Sequence, residues 1–302
     1  MDNLTHSLAG ALLGQMGLKH LSGRAMGTLV IAANIPDIDA FASVLGTQSL
    51  AIRRGITHGP LAMLLLPLVL TGLVLLWNRW RPAAQPVRPA ALLLLATIGT
   101  LSHPALDWLN SYGIRLLEPF SSRWYAGDTL FIIDLWIWLA LAASVGISLR
   151  RERSGGQWRR PALAGFAAIC AYILANGLIT ARAEAQGQGL LAERGAHPEL
   201  VVANPVPVAF WKRNMLWRDA AVHGSGTFHL LDGTSLAAWS APNRLDHPLL
   251  LAQRDRPDVA AFLFWSRMPI VVERGERIFL ADQRFASALT RDTFLVPLEP
   301  PR

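Results

Sequence analysis

The chain has 302 residues, 52% of them hydrophobic and only 16% charged, with a mean hydropathy of +0.32. That balance excludes an ordinary soluble domain and points to a membrane protein. The net charge of +7 is carried by arginine in short connections between apolar runs, which reads as membrane topology and not as a nucleic-acid surface, and the single Cys170 excludes an internal disulfide and any Cys-x-x-Cys site.

Met1-Asp2-Asn3 is acidic and polar where a cleavable signal peptide would be basic, so the N-terminus is expected to stay attached. Apolar segments at 4–18 and 25–36 rise roughly 20 Å each, short of a hydrocarbon core of about 30 Å. They are expected to form a partly inserted hairpin with Lys19, His20 and Arg24 at its turn. A third segment, 61–77, is long enough to span, with Trp77 and Trp80 as interfacial anchors; a fourth starts near Pro89 and returns to His103. The fifth, 130–149, is closed by Arg150, Arg151 and Arg153, and the sixth covers 162–181. Ten Lys/Arg lie in the connections at 19–24, 79–89 and 150–160, against four (Arg53, Arg54, Arg115 and Arg123) in the opposite set. The positive-inside rule puts the richer set in the cytoplasm.

Beyond residue 181 the composition turns polar, with strand-like runs at 199–203, 206–211, 227–231, 270–273 and 277–280. A helix is expected from Asp255 as N-cap through Pro257, and Gly224-Ser225-Gly226 between His223 and His229 reads as a hairpin turn. The fold class is therefore mainly α: a polytopic helical membrane domain over 1–181 with about six membrane segments, plus a small extracytoplasmic α+β domain over 182–302.

Four short stretches carry the chemistry, each at the end of an apolar segment: Thr5-His6, Pro36-Asp37-Ile38-Asp39, Arg54 through Thr57-His58, and His103 through Asp107. Strict alternation of the segments brings all of them to the non-cytoplasmic side, with Asp134. His103 and Asp107, four residues apart, share one face of a helix and one metal ion is within reach of both. Imidazole mixed with carboxylate suits Zn²⁺, Mn²⁺ or Fe²⁺ better than Ca²⁺. His6, Asp37, Asp39, His58, His103 and Asp107 are the candidate metal ligands, more than one catalytic zinc takes. Whether Asp37 or Asp39 ligates stays open; Asp39 is alternatively a general base, and Arg54 a group for a substrate phosphate or a lipid-phosphate anchor. The blander reading, a capping histidine and a Pro-Asp turn, must place every one of these residues on the same face by chance.

These residues, continuing to Gly113 and 117–121, resemble the YdjM-like family of membrane-bound metal-dependent hydrolases over roughly residues 1–150, with a weaker echo in 264–269 and 281–285. Their order is also similar to that of the zinc-dependent phospholipase C and P1 nuclease group. This chain departs from that group in lacking a later His-x-x-x-Glu pair and an N-terminus processed to expose a ligating amine. What the second resemblance implies is phosphoester hydrolysis with one to three divalent ions, zinc first among them. The depth of the site points to a lipid or lipid-linked substrate at the outer face of a bacterial inner membrane, with membrane lipids as partners and no nucleic acid. The alternative is a non-enzymatic assembly or sensor protein with a structural metal site; a transporter fits least, since the ionisable groups sit at segment ends.

Overall fold

The computed structural model describes residues 1–286, 290 and 292–298, and the chain divides into two compact units, Met1–Asp39 with Arg54–Asn176 and Ala40–Arg53 with Gly177–Arg302. Several helices of the first unit begin where the sequence supplies start signals. Helix α1 (Asn3–Gln15) is capped by Asp2, whose carboxylate accepts from the backbone N–H groups of Leu4 and Thr5. Helix α2 (Ala25–Ala32) leads into a 3-10 run, Ile35–Ala51, interrupted at Gly46. Helices α3 (Pro60–Trp80) and α4 (Pro89–Trp108) both open on proline, whose missing N–H costs nothing at that position. Helix α5 (Leu135–Arg153) is capped by Asp134, and α6 (Arg159–Glu193) follows.

Helix α2 is gripped from both sides by backbone. A Cβ on Gly10 of α1 would lie 2.8 Å from the Leu29 carbonyl oxygen, and one on Gly99 of α4 would lie 2.6 Å from Ala32 Cβ and 3.0 Å from the same Leu29 oxygen. Only glycine permits that approach. On α4 the buried positions Leu92, Leu95, Ala96, Gly99, Thr100, His103, Pro104 and Asp107 form a continuous stripe at helical spacing. His103 and Asp107 are thus extensions of the packing face.

Six spans are expected from the sequence, whereas among the described residues four stretches are long and apolar enough to cross a membrane: Ala25–Ala51, Pro60–Trp80, Pro89–Trp108 and Arg159–Glu193. Helix α1 has only 13 residues. Helix α5 starts as late as Leu135, because Asp134 caps it, and ends in Arg150, Arg151, Glu152 and Arg153, so its uncharged part is short. The second apolar stretch also runs on past residue 36, to Ala51.

The second unit contains a four-stranded antiparallel sheet in the order β1 (Leu200–Pro205), β2 (Lys212–Arg218), β3 (Val222–His229), β4 (Gly233–Pro242). Helices α7 (Pro248–Ala252) and α8 (Pro257–Trp265) precede a three-stranded sheet of β5 (Pro269–Arg274), β6 (Arg277–Asp282) and β7 (Leu295–Leu298). Ile179, Ala183 and Leu191 of α6 pack with Val201, Met215, Trp217 and Phe228 of the larger sheet. Three local expectations change. Residues 206–211 form the connection between β1 and β2 and not a strand. The N-cap of α8 is Arg256, not Asp255. Gly224-Ser225-Gly226 is no hairpin turn but the middle of β3, where a register shift occurs and where Cβ atoms on Gly224 and Gly226 would strike the Trp217 ring and the Ser235 carbonyl.

Candidate metal centre

The glycine contacts of α1 and α4 with α2 set the site. Gly10 lies one turn after His6 and Gly99 one turn before His103, on the same helical faces. Drawing both helices onto α2 stacks the two imidazoles, with ring centroids 3.8 Å apart. A third imidazole, His58, arrives from the short 3-10 turn Ile56–His58 and sits 5.0 Å from the His103 ring.

Four groups offer ligand atoms within 4.8 Å of one another: Asp37, His58, His103 and Asp107. His103 Nε2 is 3.6 Å from both Asp37 Oδ1 and Asp107 Oδ2, and His58 Nε2 is 3.6 Å from Asp107 Oδ2. Ligands about 2.0–2.1 Å from a tetrahedral zinc stand roughly 3.3 Å apart, so this spacing fits a first-row divalent ion. The far sides of the rings are tethered. His103 Nδ1 lies 2.7 Å from the Ala33 carbonyl oxygen, which accepts its proton. His58 Nδ1 faces the Thr57 hydroxyl at 2.9 Å, and that hydroxyl donates to Asp39 Oδ2 at 2.8 Å. Both tethers assign the proton to Nδ1 and leave the Nε2 lone pairs pointing inward, and both Nε2 atoms are buried without a hydrogen-bond partner.

Asp39 and Arg54 form the wall behind the cluster. Arg54 donates its backbone N–H to Asp39 Oδ2 at 2.7 Å, while Nε and Nη2 of its guanidinium hold Asp107 at 3.0 and 3.2 Å. Nη1 reaches Asn110 Oδ1 at 3.0 Å, and the guanidinium lies over the Tyr112 ring at 4.7 Å. His6 Nε2 lies 3.3 Å from Asp107 Oδ1, an oxygen also contacted by the Met1 amino group. Burial, with Asp39 pulling the other way, holds the His58 imidazole below its ordinary range. Burial first, then the neighbouring His103, does the same to His6. Neutral imidazoles are the form in which histidine ligates metal.

All the residues singled out by the sequence pattern, His6, Asp37, Asp39, Arg54, His58, His103 and Asp107, therefore meet within the first unit. Asp134 is spent elsewhere: it caps α5 and accepts from the Tyr172 hydroxyl at 3.2 Å. The pattern gave no role to Thr57, Asn110 or the Ala33 carbonyl, which orient the cluster. Asn110 was within reach of the pattern, since it stands three residues after Asp107. A carbonyl in another helix leaves no trace in the sequence.

No solved structure matches the chain. The Uncharacterized protein YfhP of Bacillus subtilis (strain 168) is 29% identical over 159 residues, covering 49% of this chain, which spans about half (46%) of that relative's length. The model of the YdjM inner membrane protein family matches residues 1–183, which include every residue of the cluster and reach into α6. The chain belongs to the YdjM inner membrane protein family.

Proposed function

We propose that the chain is a membrane-embedded, metal-dependent hydrolase that cleaves a phosphoester of a lipid or lipid-linked substrate at the outer membrane interface. The observation that carries this reading is the pair of buried Nε2 atoms, on His58 and His103, aimed with two carboxylates at one point and given no hydrogen bond. Burying such groups unpaired is costly unless an ion takes their lone pairs.

Asp37, His58, His103 and Asp107 would hold the ion, His6 and Asp39 being the further donors for one to three ions, zinc first among them. A divalent ion supplies Lewis-acid stabilisation of charge on a phosphoryl group and lowers the pKa of water toward about 7. Arg54 holds Asp107 in place through Nε and Nη2, and a substrate phosphate would meet that guanidinium only beside Asp107. Asp39 is set up as a proton acceptor: Oδ2 is saturated by Arg54 N–H and the Thr57 hydroxyl, while Oδ1 has no hydrogen-bond partner.

The second reading is a structural metal in an assembly or sensor protein, favoured by the count of four converging protein ligands, the complement of a closed site. The surplus donors His6 and Asp39 favour the enzyme. The test uses the full-length protein in detergent: metal content by mass spectrometry, then release of phosphate or headgroup from phospholipid and isoprenyl-phosphate substrates. Metal at one or more equivalents with chelator-sensitive turnover is expected. Bound metal with no turnover on any phosphoester supports the structural reading, and a folded protein that binds no divalent ion overturns both.

A further inference from the structure

At the opposite end of α2 from Asp37, the first unit has two cavities that meet. One, of about 340 Å³, carries the charged and polar groups of Lys19, His20, Ser22, Arg24, Gln85 and Glu152 among the apolar surface of Ala25 and Met26. The other, of about 450 Å³, is an apolar groove between α2 and α3, lined by Thr28, Ile31, Leu70, Leu73, Val74 and Trp77. Both are also lined by Arg24 and Gly27, so a polar head space opens into an apolar channel at that pair.

Arg24 is held there against local preference. Its backbone is left-handed, φ 67° and ψ 0°, a conformation that favours glycine, and it occupies the N-cap of α2, where the helix dipole disfavours a cation. One guanidinium nitrogen donates to the Arg81 carbonyl oxygen at the end of α3. Nε is buried with no hydrogen-bond partner, and among the described residues no carboxylate pairs with Arg24. The one acid at the head cavity, Glu152, is taken by Lys19. An anion is what the arrangement lacks. Beside it, Gly27 leaves the groove floor open: a Cβ built there meets nothing within 4 Å.

We propose that the two cavities form one binding site for an anionic phospholipid of the bilayer, with its phosphate on Arg24 and an acyl chain laid between α2 and α3. Charge complementarity selects the headgroup, because Arg79, Arg81 and Arg88 stand in the same connection as the Arg24 partner and no acid there offsets them. The apolar walls select a chain over a free anion. The site is separate from the metal centre and does not rest on its chemistry.

The experiment is native mass spectrometry of the full-length protein in detergent, titrated with phosphatidylglycerol or phosphatidylcholine of matched chains. Wild type is expected to prefer phosphatidylglycerol by about fivefold, the effect of one basic group near a lipid headgroup. Arg24→Gln should lose that preference and Arg24→Lys should keep most of it. Gly27→Leu, which fills the groove, should lower occupancy by both lipids, and all variants should retain the wild-type circular dichroism spectrum and melting temperature, which certifies the fold. No phosphatidylglycerol preference in wild type, an unchanged preference in Arg24→Gln, or full displacement of the lipid by inorganic phosphate would each overturn the proposal.

Discussion

Two buried charged clusters, one in each unit, show what a finished polar site and a poised one look like. In the second unit Asp282 is fully consumed: Oδ1 accepts from Arg284 N and Nε at 2.9 Å each, and Oδ2 accepts from Arg284 Nη2 at 2.8 Å, from the Ser266 hydroxyl and from Met268 N. Arg284 in turn lies over the Trp265 ring at 5.1 Å. In the first unit His58, His103 and Asp107 are just as buried, Asp37 less so, yet the inward Nε2 atoms of His58 and His103 have no hydrogen bond. Equal burial with unequal satisfaction separates a structural pair from a binding site. The comparison breaks if removing a member of either cluster has the consequence expected of the other.

The largest effect is expected at the metal centre. His103→Ala removes one of four converging ligands and its tether to Ala33, so metal should fall from stoichiometric to near zero in the purified full-length protein, with helical content by circular dichroism retained. Metal at wild-type levels would place the binding site elsewhere. Next, Asp282→Asn leaves Arg284 buried without its counter-charge and should cost about 3–5 kcal/mol, leaving metal content unchanged. Trp265 fluorescence during chemical denaturation reads it. Acid should act in the same place. Burial alone would raise the Asp282 carboxyl, but Arg284 and the hydrogen bonds win and hold it below its ordinary value. A depressed carboxyl contributes stability that is present above the unfolded pKa of about 3.9 and lost as pH falls through the lower folded value. The Trp265 transition should therefore be insensitive to pH between about 5 and 7 and weaken below about 4, and Asp282→Asn should flatten that dependence.

The candidate metal cluster was legible because its residues are rare types at the ends of apolar runs, where a charge demands a reason. His103 and Asp107 advertise themselves by spacing alone. The two stretches echoed near the C-terminal end, 264–269 and 281–285, also turn out to be partners, joined by Asp282 to Ser266 and Met268. What stayed hidden depends on contacts between distant parts of the chain. Six spans are not recovered, because α1 has only 13 residues and because Asp134, grouped with the site residues in the sequence, is a helix cap that starts α5 late. The β3 glycines look like a turn because composition cannot distinguish a flexible glycine from one with a neighbour at its Cβ position. Gly99 is the sharpest case. In the sequence it is one small residue in an apolar helix, yet it sets the distance from α4 to α2. Gly99→Val should push the helices apart, destabilise the first unit by about 1–3 kcal/mol through overpacking and weaken metal binding without touching a ligand. Wild-type metal affinity in that variant would show that the stacked rings are not placed by this contact.

The smallest effect is expected from Thr57, which bonds a candidate ligand but is not one itself. The Thr57 hydroxyl can donate only one proton, and Asp39 Oδ2 takes it at 2.8 Å, so toward His58 Nδ1 at 2.9 Å the hydroxyl must accept. That polarity is what leaves the His58 Nε2 lone pair able to take an ion. Thr57→Val keeps the shape and removes both hydrogen bonds, freeing the ring to rotate or to exchange its proton to Nε2. A partner that holds a ligating imidazole by its other ring nitrogen is worth about 10–100-fold in metal affinity, and the lower end applies because Asp39 remains 3.4 Å from Nδ1 as a substitute acceptor. Competition against a chromophoric chelator should show a roughly tenfold weaker site at unchanged stoichiometry, with Thr57→Ser restoring it. A Val variant that binds as tightly as wild type would mean that Asp39 orients His58 alone. The four-ligand reading would survive, but the distinction between the two clusters would then rest on the ligands themselves and not on the shell that aims them.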